Sequence, residues 1–274
     1  MTVRCDDNNP ALWRSRLPTL SRDMHKYDRG HALIMGGYPR TGAARLAARA
    51  AARIGAGLVT VAVPEIAFPI YASALTSIMV HPVTDESGLA SLLRDGKFAA
   101  LLIGPGAGID ETTRANVRTM LATGLPTVLD ADALTSFSDD PAALFDGLSE
   151  RCVLTPHESE FARVFDVEGS RAERASLAAQ QSGAVVILKG AETVIAAPDG
   201  SVIINKNAPP TLATAGSGDV LAGIVVGLLA QGMEIFFAAA AAVWIHGASA
   251  EAFGPGLIAD DLPDLLPAVL RRLA

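Results

Sequence analysis

The sequence is poor in cysteine and in runs of basic residues, and each shortage excludes a class of protein. Only Cys5 and Cys152 are present; they form no motif, and their scarcity indicates a reducing compartment. The net charge of −7 argues against a nucleic-acid or anionic-membrane surface. The opening MTVRCDDNNP has early acids and no apolar segment typical of a signal peptide. We therefore expect a cytoplasmic protein that binds neither nucleic acid nor membrane.

The chain also lacks low-complexity linkers, internal repeats and a convincing membrane span. The apolar run at residues 235–245 has eleven residues, too few to cross a bilayer. Hydrophobic residues make up 50% of the 274 residues, whereas aromatic residues make up 5%. Abundant alanine and glycine with few aromatic rings favour helices packed closely on a sheet. We predict a single domain over residues 1–274, with residues 1–24 as an N-terminal arm.

Short apolar runs alternate with glycine-rich turns and helical segments along most of the chain. Residues 31–36 predict a strand, residues 43–54 an alanine-rich helix, and residues 58–63 a second strand. This order is typical of a βαβ unit with parallel strands. Further buried strands are predicted at 99–103, 126–129, 152–155 and 184–188, and a hairpin at 192–204. In such a fold, ligands bind at the carboxyl ends of the strands.

The most informative stretch is NKNAPPTLATAGSGDVLAGIVVGLLAQG, residues 205–232. Gly216 and Gly218 permit a tight turn, and a helix is predicted from about residue 220 to residue 230. The amides of Gly216, Ser217 and Gly218 would bind a phosphate, because a helix N-terminus attracts anions. Asp219 would accept a proton from an attacking hydroxyl, and we expect it to be ionised at neutral pH.

Each polar cluster also has a purely structural alternative. Ser-Gly-Asp alone could be an N-cap with an acidic first turn, but a cap does not need the small residues Ala222, Gly223 and Gly227 behind it. GPGAG at residues 104–108 could be a ligand loop or a turn that needs positive φ. Asp130 could bind Mg²⁺ through water, or Asp132 could cap the next helix. Lys189 could be a surface residue or a phosphate-binding charge.

Several of these segments resemble one family. ATAGSGDVLAGIVVGLLAQG looks like the signature of the ADP- or ATP-dependent NAD(P)H-hydrate dehydratases, in the ribokinase-like superfamily. GGYPRTGAARLAARAAARIGAGLVTVAVP, GPGAG, TPHESEF and KGAETV resemble segments of the same family. The resemblance runs from about residue 25 to the C-terminus. HKYDRG departs from the family's histidine-lysine-glycine opening, so no role is assigned to His25 or Lys26.

The resemblance implies a three-layer α/β/α sandwich with a mostly parallel sheet, and it implies roles for particular residues. The residues expected at the hydrate are Ala43, Gly106, His157 and Asp219. The residues expected at the adenine nucleotide are Lys189, Gly190, Ala191, Glu192, Thr193 and Gly218. Glu160 and Asp130 are expected near a metal ion. The resemblance also implies Mg²⁺, ADP or ATP as co-substrate, and a homo-oligomer, with a tetramer favoured; the epimerase domain fused to some relatives is not expected.

By the same resemblance, the nucleotide phosphorylates the hydroxyl of the S-form of NAD(P)H hydrate, and loss of phosphate restores NAD(P)H. A runner-up interpretation is a kinase of the same superfamily that acts on a vitamin-precursor alcohol, of the thiazole or hydroxymethylpyrimidine type. A third is a nucleotide-binding protein with an inactive site, which the intact Gly216, Gly218 and Asp219 disfavour. We take dehydration of the hydrate as the leading hypothesis.

Overall fold

The computed structural model describes residues 4–273, which contain one ten-stranded sheet. The strands are β1 (Cys5–Asp7), β2 (His31–Met35), β3 (Leu58–Pro64), β4 (Met79–Val83), β5 (Ala100–Ile103), β6 (Thr127–Leu129), β7 (Cys152–Leu154), β8 (Val185–Leu188), β9 (Thr193–Ala196) and β10 (Val202–Asn205). Their spatial order is β1-β10-β9-β8-β7-β6-β5-β2-β3-β4. Only β9 runs antiparallel to its neighbours, which makes the sheet mostly parallel, as predicted.

Helices cover both faces of this sheet. They are α1 (Thr41–Arg53), α2 (Phe68–Ala74), α3 (Glu86–Asp95), α4 (Glu111–Leu121), α5 (Asp132–Thr135), α6 (Pro141–Phe145), α7 (Glu158–Val164), α8 (Arg171–Ser182), α9 (Ser217–Ala230), α10 (Ile235–Phe253) and α11 (Leu262–Leu273). The buried side chains of α1, α2 and α9–α11 belong to one core, and those of α3–α8 belong to the other.

Strands β2 and β5–β9 are mostly apolar because both of their faces are buried. In β2, Ala32 and Ile34 pack into the first core, whereas Leu33 and Met35 pack into the second. Successive side chains of a strand point to opposite faces, so a strand between two helical layers needs apolar residues at every position. The three-layer α/β/α sandwich expected from the sequence is therefore confirmed.

The N-terminal arm is more ordered than the sequence interpretation implies. Residues 4–16 form β1, which pairs in parallel with β10 at the edge of the sheet, and two short 3₁₀ turns. Trp13 is fully buried and stacks at an angle on Trp244 of α10, with 5.7 Å between ring centroids. Residues 1–3 of the predicted arm lie outside the described residues. The arm therefore contributes a strand and a core residue to the domain.

Helix α10 is longer than the apolar run seen in the sequence. Its 19 residues are long and apolar enough to cross a membrane by length and composition alone, but 61% of its most apolar window is buried inside the protein. It packs against α9, α11 and strands β7–β10. Burial on this scale is typical of a core helix.

Helices α1 and α9 approach each other closely through glycine. A Cβ on Gly223 would overlap the backbone of Ala47, with 2.7 Å to its Cα, and a Cβ on Gly227 would lie 2.9 Å from the Cα of Ala51. Small residues at these positions let the two backbones touch, which the sequence analysis expected behind the glycine-rich turn. The contact fixes the axis of α9 and therefore the position of its N-terminus.

We predict that Gly223→Ala lowers the free energy of unfolding. Replacing a helical glycine by alanine normally raises the free energy of unfolding by about 1 kcal/mol. Here the new methyl group overlaps backbone that cannot move aside, and such overpacking lowers the free energy of unfolding by about 1–3 kcal/mol or more. Gly42→Ala is the matched control, since Gly42 is also helical but has open space around it. Urea unfolding should show a clearly lower free energy of unfolding for Gly223→Ala and no decrease for Gly42→Ala. Equal stabilities would contradict the close-contact assignment.

Candidate active site

The loops after β2, β5 and β6 meet at the carboxyl edge of the sheet. Gly37 packs directly on the carbonyl of Gly106, and Gly104 packs directly on the carbonyl of Asp130, so neither glycine has room for a Cβ. Gly104 and Gly106 have φ values of 128° and 70°. The turn after β5 therefore requires glycine at these positions. The same turn places Gly106 at the carboxyl edge of the sheet, where Ala43 lies in the first turn of α1.

Helix α9 begins at Ser217, earlier than the predicted start near residue 220. Gly216, with φ of 90°, is the N-cap residue, and the amide of Val220 donates to the Gly216 carbonyl at 3.2 Å. Only glycine adopts this left-handed conformation without strain, so the chain turns into the helix here. Asp219 consequently belongs to the first turn of the helix.

The N-terminus of α9 offers open hydrogen-bond donors. Among residues 4–273, the amides of Gly216, Gly218 and Asp219 have no acceptor. The Ser217 amide is occupied, since it donates to a backbone carbonyl at 3.4 Å, and its Oγ donates to the Leu212 carbonyl at 2.8 Å. Of the three residues predicted to bind phosphate, Ser217 thus anchors the turn, whereas Gly216 and Gly218 keep free amides. Unpaired amides at a helix N-terminus are suited to an anion.

A buried lysine lies at the centre of the carboxylates. The Nζ of Lys189, which follows β8, is 2.7 Å from Oδ1 of Asp130 and 3.9 Å from Oε2 of Glu160. Asp130 and Glu160 are 1% and 6% exposed. Burial acts to lower the pKa of Lys189, but Asp130 and Glu160 outweigh it and hold that pKa above its usual range. Lys189 is therefore a buried ammonium, not an ordinary surface residue.

The same cluster corrects the expected ionisation of Asp219. Its pKa is raised from 3.8 to about 7 as the net result of burial, the largest cause, and of the negative charges of Asp130, Asp132 and Glu160, against which Lys189 acts to lower it. The helix N-terminus alone predicted an ionised carboxylate, but desolvation and neighbouring charges outweigh the helix dipole. Asp219 is thus close to half protonated at neutral pH.

The carboxylates do not form a ready metal site. Oδ1 of Asp130 is paired with Lys189, and Glu160 accepts a hydrogen bond from the His157 amide at 2.8 Å. Among residues 4–273, no group of three or more His, Cys, Asp or Glu side chains is placed to hold a metal ion. Because Mg²⁺ usually takes only one or two carboxylates beside phosphate and water oxygens, the expected place of Asp130 and Glu160 near a metal ion stays a prediction.

His157 is the N-cap of α7 and is held in place by Glu160. Its Nδ1 accepts from the Glu160 amide at 3.2 Å, and its Nε2 lies 3.2 Å from Oε1 of the same residue. The reciprocal bond from the His157 amide completes a capping box. The imidazole of His157 is half exposed and lies next to Glu160, which contacts Lys189. Although His157 caps a helix, it therefore still lies at the carboxyl edge of the sheet, where the hydrate is expected to bind.

Asp132 has a different role from the helix cap considered in the sequence analysis. Ala131, with φ of 46°, occupies the N-cap position of α5, and the Asp132 side chain makes no capping hydrogen bond. Instead, Oδ2 of Asp132 accepts from the Gly108 amide at 2.9 Å and lies 3.7 Å from the guanidinium of Arg40. It therefore ties the loop after β5 to the loop after β2.

A cavity of about 410 Å³ opens beside the N-terminus of α9. Of the six residues predicted to bind nucleotide, all but Glu192 line it. The lining residues are Lys189, Gly190, Ala191, Thr193, Asn205, Ala208, Pro209, Pro210, Leu212, Ala213, Ser217, Gly218, Leu221, Val243 and His246. Asn205 and His246 have no counterpart among the predicted site residues. Burial lowers the pKa of His246 to about 4, so its imidazole is neutral.

A larger cavity, of about 890 Å³, lies at the other end of the sheet. It is lined by the N-terminal arm and by the C-terminal ends of α1, α9 and α11. Arg29 and Gly55, which precede β2 and β3, place it at the amino ends of the strands. The carboxylates and the open amides are at the opposite edge, so the smaller cavity is the one next to the candidate active site.

Comparison with solved structures first defines the class. A ribokinase-like superfamily protein from Enterococcus faecalis shares the fold, with a TM-score of 0.86 and 25% sequence identity, over 98% of this chain and 96% of the other. The ADP/ATP-dependent NAD(P)H-hydrate dehydratase of Bacillus subtilis, co-crystallised with ATP and Mg²⁺, has a TM-score of 0.85 and 30% identity over the full length of both chains. The architecture is therefore ribokinase-like, as the resemblance implied.

Sequence comparison then defines the family. A family model described as NAD(P)H-hydrate dehydratase matches residues 32–268. An ADP-dependent (S)-NAD(P)H-hydrate dehydratase of Xanthomonas campestris is 34% identical, over 96% of this chain and 95% of its own length. The chain belongs to the NAD(P)H-hydrate dehydratase family. It spans about half the length of other relatives that it matches, which are bifunctional NAD(P)H-hydrate repair enzymes.

We predict that Asp219→Asn stabilises the protein more at pH 8 than at pH 5. Because the pKa of Asp219 is raised to about 7, the folded protein holds a proton that the unfolded chain loses above about pH 4, and the free energy of unfolding falls as the pH rises between these values. Asparagine resembles the protonated form of Asp219, so at pH 8 the variant should have a free energy of unfolding about 2 kcal/mol above that of the unaltered protein. This figure is smaller than the pKa shift alone would give, because the carboxyl is partly exposed.

Urea unfolding at both pH values measures this difference. Asp6→Asn, which removes an exposed carboxylate of β1 far from the cluster, is the control and should give no pH-dependent gain. A stability difference for Asp219→Asn that is the same at pH 5 and pH 8 would contradict the raised pKa.

Proposed function

We propose that this protein catalyses the nucleotide-dependent dehydration of the S-form of NAD(P)H hydrate, which restores NAD(P)H. The observation that carries the proposal is the position of Asp219, a carboxyl with a pKa of about 7, beside open helix amides and a nucleotide-sized cavity. Family membership supplies the substrate class, since the matching model is described as NAD(P)H-hydrate dehydratase.

The cavity is suited to an adenine nucleotide with its phosphates toward α9. Its outer wall is apolar, with Ala191, Pro209 and Leu212, and suits a flat base. At the other end, a Cβ on Gly218 would lie only 3.3 Å from Nζ of Lys189, so the open amide and the ammonium are neighbours. We infer that the terminal phosphate lies between them, next to Asp219. Such positioning supplies most of the catalysis in phosphoryl transfer.

The reaction proceeds in two steps. Asp219 removes the proton of the hydrate hydroxyl, whose oxygen attacks the terminal phosphorus of ATP or ADP and displaces ADP or AMP. The original C–O bond of the hydrate, now part of a phosphate ester, then breaks; phosphate leaves with the oxygen, and a ring proton is lost, so that the double bond is restored. Phosphorylation is useful because phosphate is a much better leaving group than hydroxide.

The raised pKa of Asp219 suits this task. A base works best when its pKa lies near the working pH, because it is then both deprotonated often enough and basic enough. An ordinary aspartate would be ionised but too weak a base. Desolvation and the three neighbouring carboxylates therefore improve the basicity of Asp219, and Lys189 keeps its pKa from rising beyond the neutral range.

We further propose that Mg²⁺ would be held by the phosphates of the nucleotide near Asp130 and Glu160, whose carboxylates lie beside Lys189. Mg²⁺ commonly binds in this way, with water and phosphate oxygens as most of its ligands, and it would neutralise phosphate charge. A homo-oligomeric state, which the resemblance implies, stays a prediction that light scattering would check.

The activity is tested by incubating the purified protein with hydrated NADH, Mg²⁺, and either ADP or ATP. We expect absorbance of the dihydronicotinamide ring to return only when a nucleotide is present, and the more effective nucleotide identifies the phosphoryl donor. No recovery with either nucleotide, combined with nucleotide consumption on a thiazole or hydroxymethylpyrimidine alcohol, would replace the proposal with the kinase alternative.

We predict that Asp219→Asn loses at least about 100-fold in kcat, the usual contribution of a general base, and still binds ADP. In the unaltered protein, kcat should rise with pH through an apparent pKa near 7, because the deprotonated carboxylate is the active form. Steady-state kinetics from pH 5.5 to 8.5 and calorimetric titration with ADP measure both effects. Near-normal turnover in the variant would exclude Asp219 as the base.

A further inference from the structure

The N-terminal segment is joined to the wall of the 410 Å³ cavity by a chain of side-chain amides. Nδ2 of Asn8 donates to Oδ1 of Asn205 at 3.0 Å, and Nδ2 of Asn205 donates to Oδ1 of Asn207 at 2.7 Å. Nδ2 of Asn207 then donates to the Trp244 carbonyl in α10 at 2.9 Å. Asn8, near the N-terminus, thus forms one continuous chain of hydrogen bonds with Asn205 and Asn207, which lie about 200 positions further along the sequence.

The start of this chain is held on three sides. Nδ2 of Asn8 also donates to the Ala240 carbonyl of α10 at 2.8 Å, and its Oδ1 accepts from Nε1 of Trp13 at 3.0 Å. The backbone amide of Asn8 donates to the Ile204 carbonyl at 2.8 Å. Asn8 therefore connects β10, α10 and the buried Trp13, and both polar atoms of its side chain are used.

The end of the chain forms part of the cavity. Asn205 is fully buried and lines the cavity, and the loop that follows supplies five further lining residues between positions 208 and 213. Asn207, at the start of this loop, fits directly against Gly247, where a Cβ would overlap its side chain. At the far end of the loop, the Leu212 carbonyl accepts from Ser217 Oγ. The loop is thus fixed by Asn207 at one end and by α9 at the other.

We propose that Asn8, supported by Trp13, is a positioning residue for the nucleotide, acting through Asn205 and Asn207 on the loop at residues 206–213. The proposal rests on the function given above, in that the cavity is taken to hold an adenine nucleotide. It assigns a role to a segment outside the matched family region, which begins at residue 32. Removing the Asn8 side chain leaves Oδ1 of the buried Asn205 without its donor, and an unpaired buried polar group costs enough to shift the loop that carries it.

The test is calorimetric titration of the full chain and of Asn8→Ala with ADP, together with steady-state kinetics. We expect Asn8→Ala to weaken ADP binding by about 10-fold, the effect of one unsatisfied buried hydrogen bond, and to raise the KM for nucleotide similarly. The KM for hydrate and kcat at saturating nucleotide should stay within about 3-fold, because the loops after β2 and β5 do not contact the chain of asparagines. Amide hydrogen exchange at residues 206–213 should become faster.

Two control variants separate positioning from a general loss of stability. Asn9→Ala removes a neighbouring, exposed asparagine whose side chain, within the described residues, bonds to the Asp7 carbonyl and the Ala11 amide, and it should bind ADP normally. Leu12→Ala removes apolar packing of the same segment without touching the asparagines, so it should lower stability but not ADP affinity. If Asn8→Ala does not fold, Trp13→Phe, which removes the Nε1 donor together with part of the buried ring, replaces it and should weaken ADP binding to a smaller extent.

Three results would overturn the inference. The first is normal ADP affinity in a folded Asn8→Ala or Trp13→Phe protein, while the unaltered protein binds ADP. The second is an equal loss of affinity in Leu12→Ala, which would mean that the segment only stabilises the fold. The third is an unaltered protein that binds neither ADP nor ATP, which would overturn the proposed function as well and so is distinct from the other two.

Discussion

The site depends on one buried ion pair, between the ammonium of Lys189 and the carboxylate of Asp130. Lys189 and Asp130 follow strands β8 and β6, which only the tertiary fold brings near each other. Glu160, in the first turn of α7 after β7, lies 3.9 Å from the same ammonium. Burying a charge without a partner is costly, so each member requires the others. The result is one cation among several carboxylates. Burial of Asp219 is the largest cause of the rise in its pKa to about 7, and the neighbouring carboxylates add to that rise. A base of neutral pKa is thus a consequence of how the strands are ordered.

Close backbone contacts fix the relative positions of the Lys189–Asp130 pair and of Asp219. Helix α9 carries the open amides and Asp219, and its axis is fixed by Gly223 and Gly227 against α1. On the other side, the loop after β5 is pressed against the carbonyl of Asp130 through Gly104. The glycines therefore do more than permit turns, because they bring the phosphate-binding amides and the carboxylates to the same edge. A side chain at any of these three positions would separate them.

Much of the fold follows from local sequence patterns, whereas the electrostatics of the site do not. The buried strands are visible as apolar runs, and the amide site at Gly216–Gly218 is visible as a glycine turn before a helix. Helix α3, however, has no counterpart in the sequence interpretation, although Asp85 caps it and Leu89 and Leu93 have helical spacing. The pairing of Lys189 with Asp130 spans 59 positions. No local pattern encodes that pairing or the burial of Asp219, so the rise in the pKa of Asp219 to about 7 could not be predicted from the sequence.

The central claim is that phosphate leaves with the oxygen of the hydrate, and an isotope experiment tests it most directly. The hydrate is prepared in ¹⁸O-labelled water, so that its hydroxyl carries the label, and is then converted in a single turnover with unlabelled nucleotide in ordinary water. Mass spectrometry of the inorganic phosphate should find one ¹⁸O atom per molecule of NADH formed. Unlabelled phosphate, with the label released as water, would show that the hydroxyl leaves without being phosphorylated and would contradict the account.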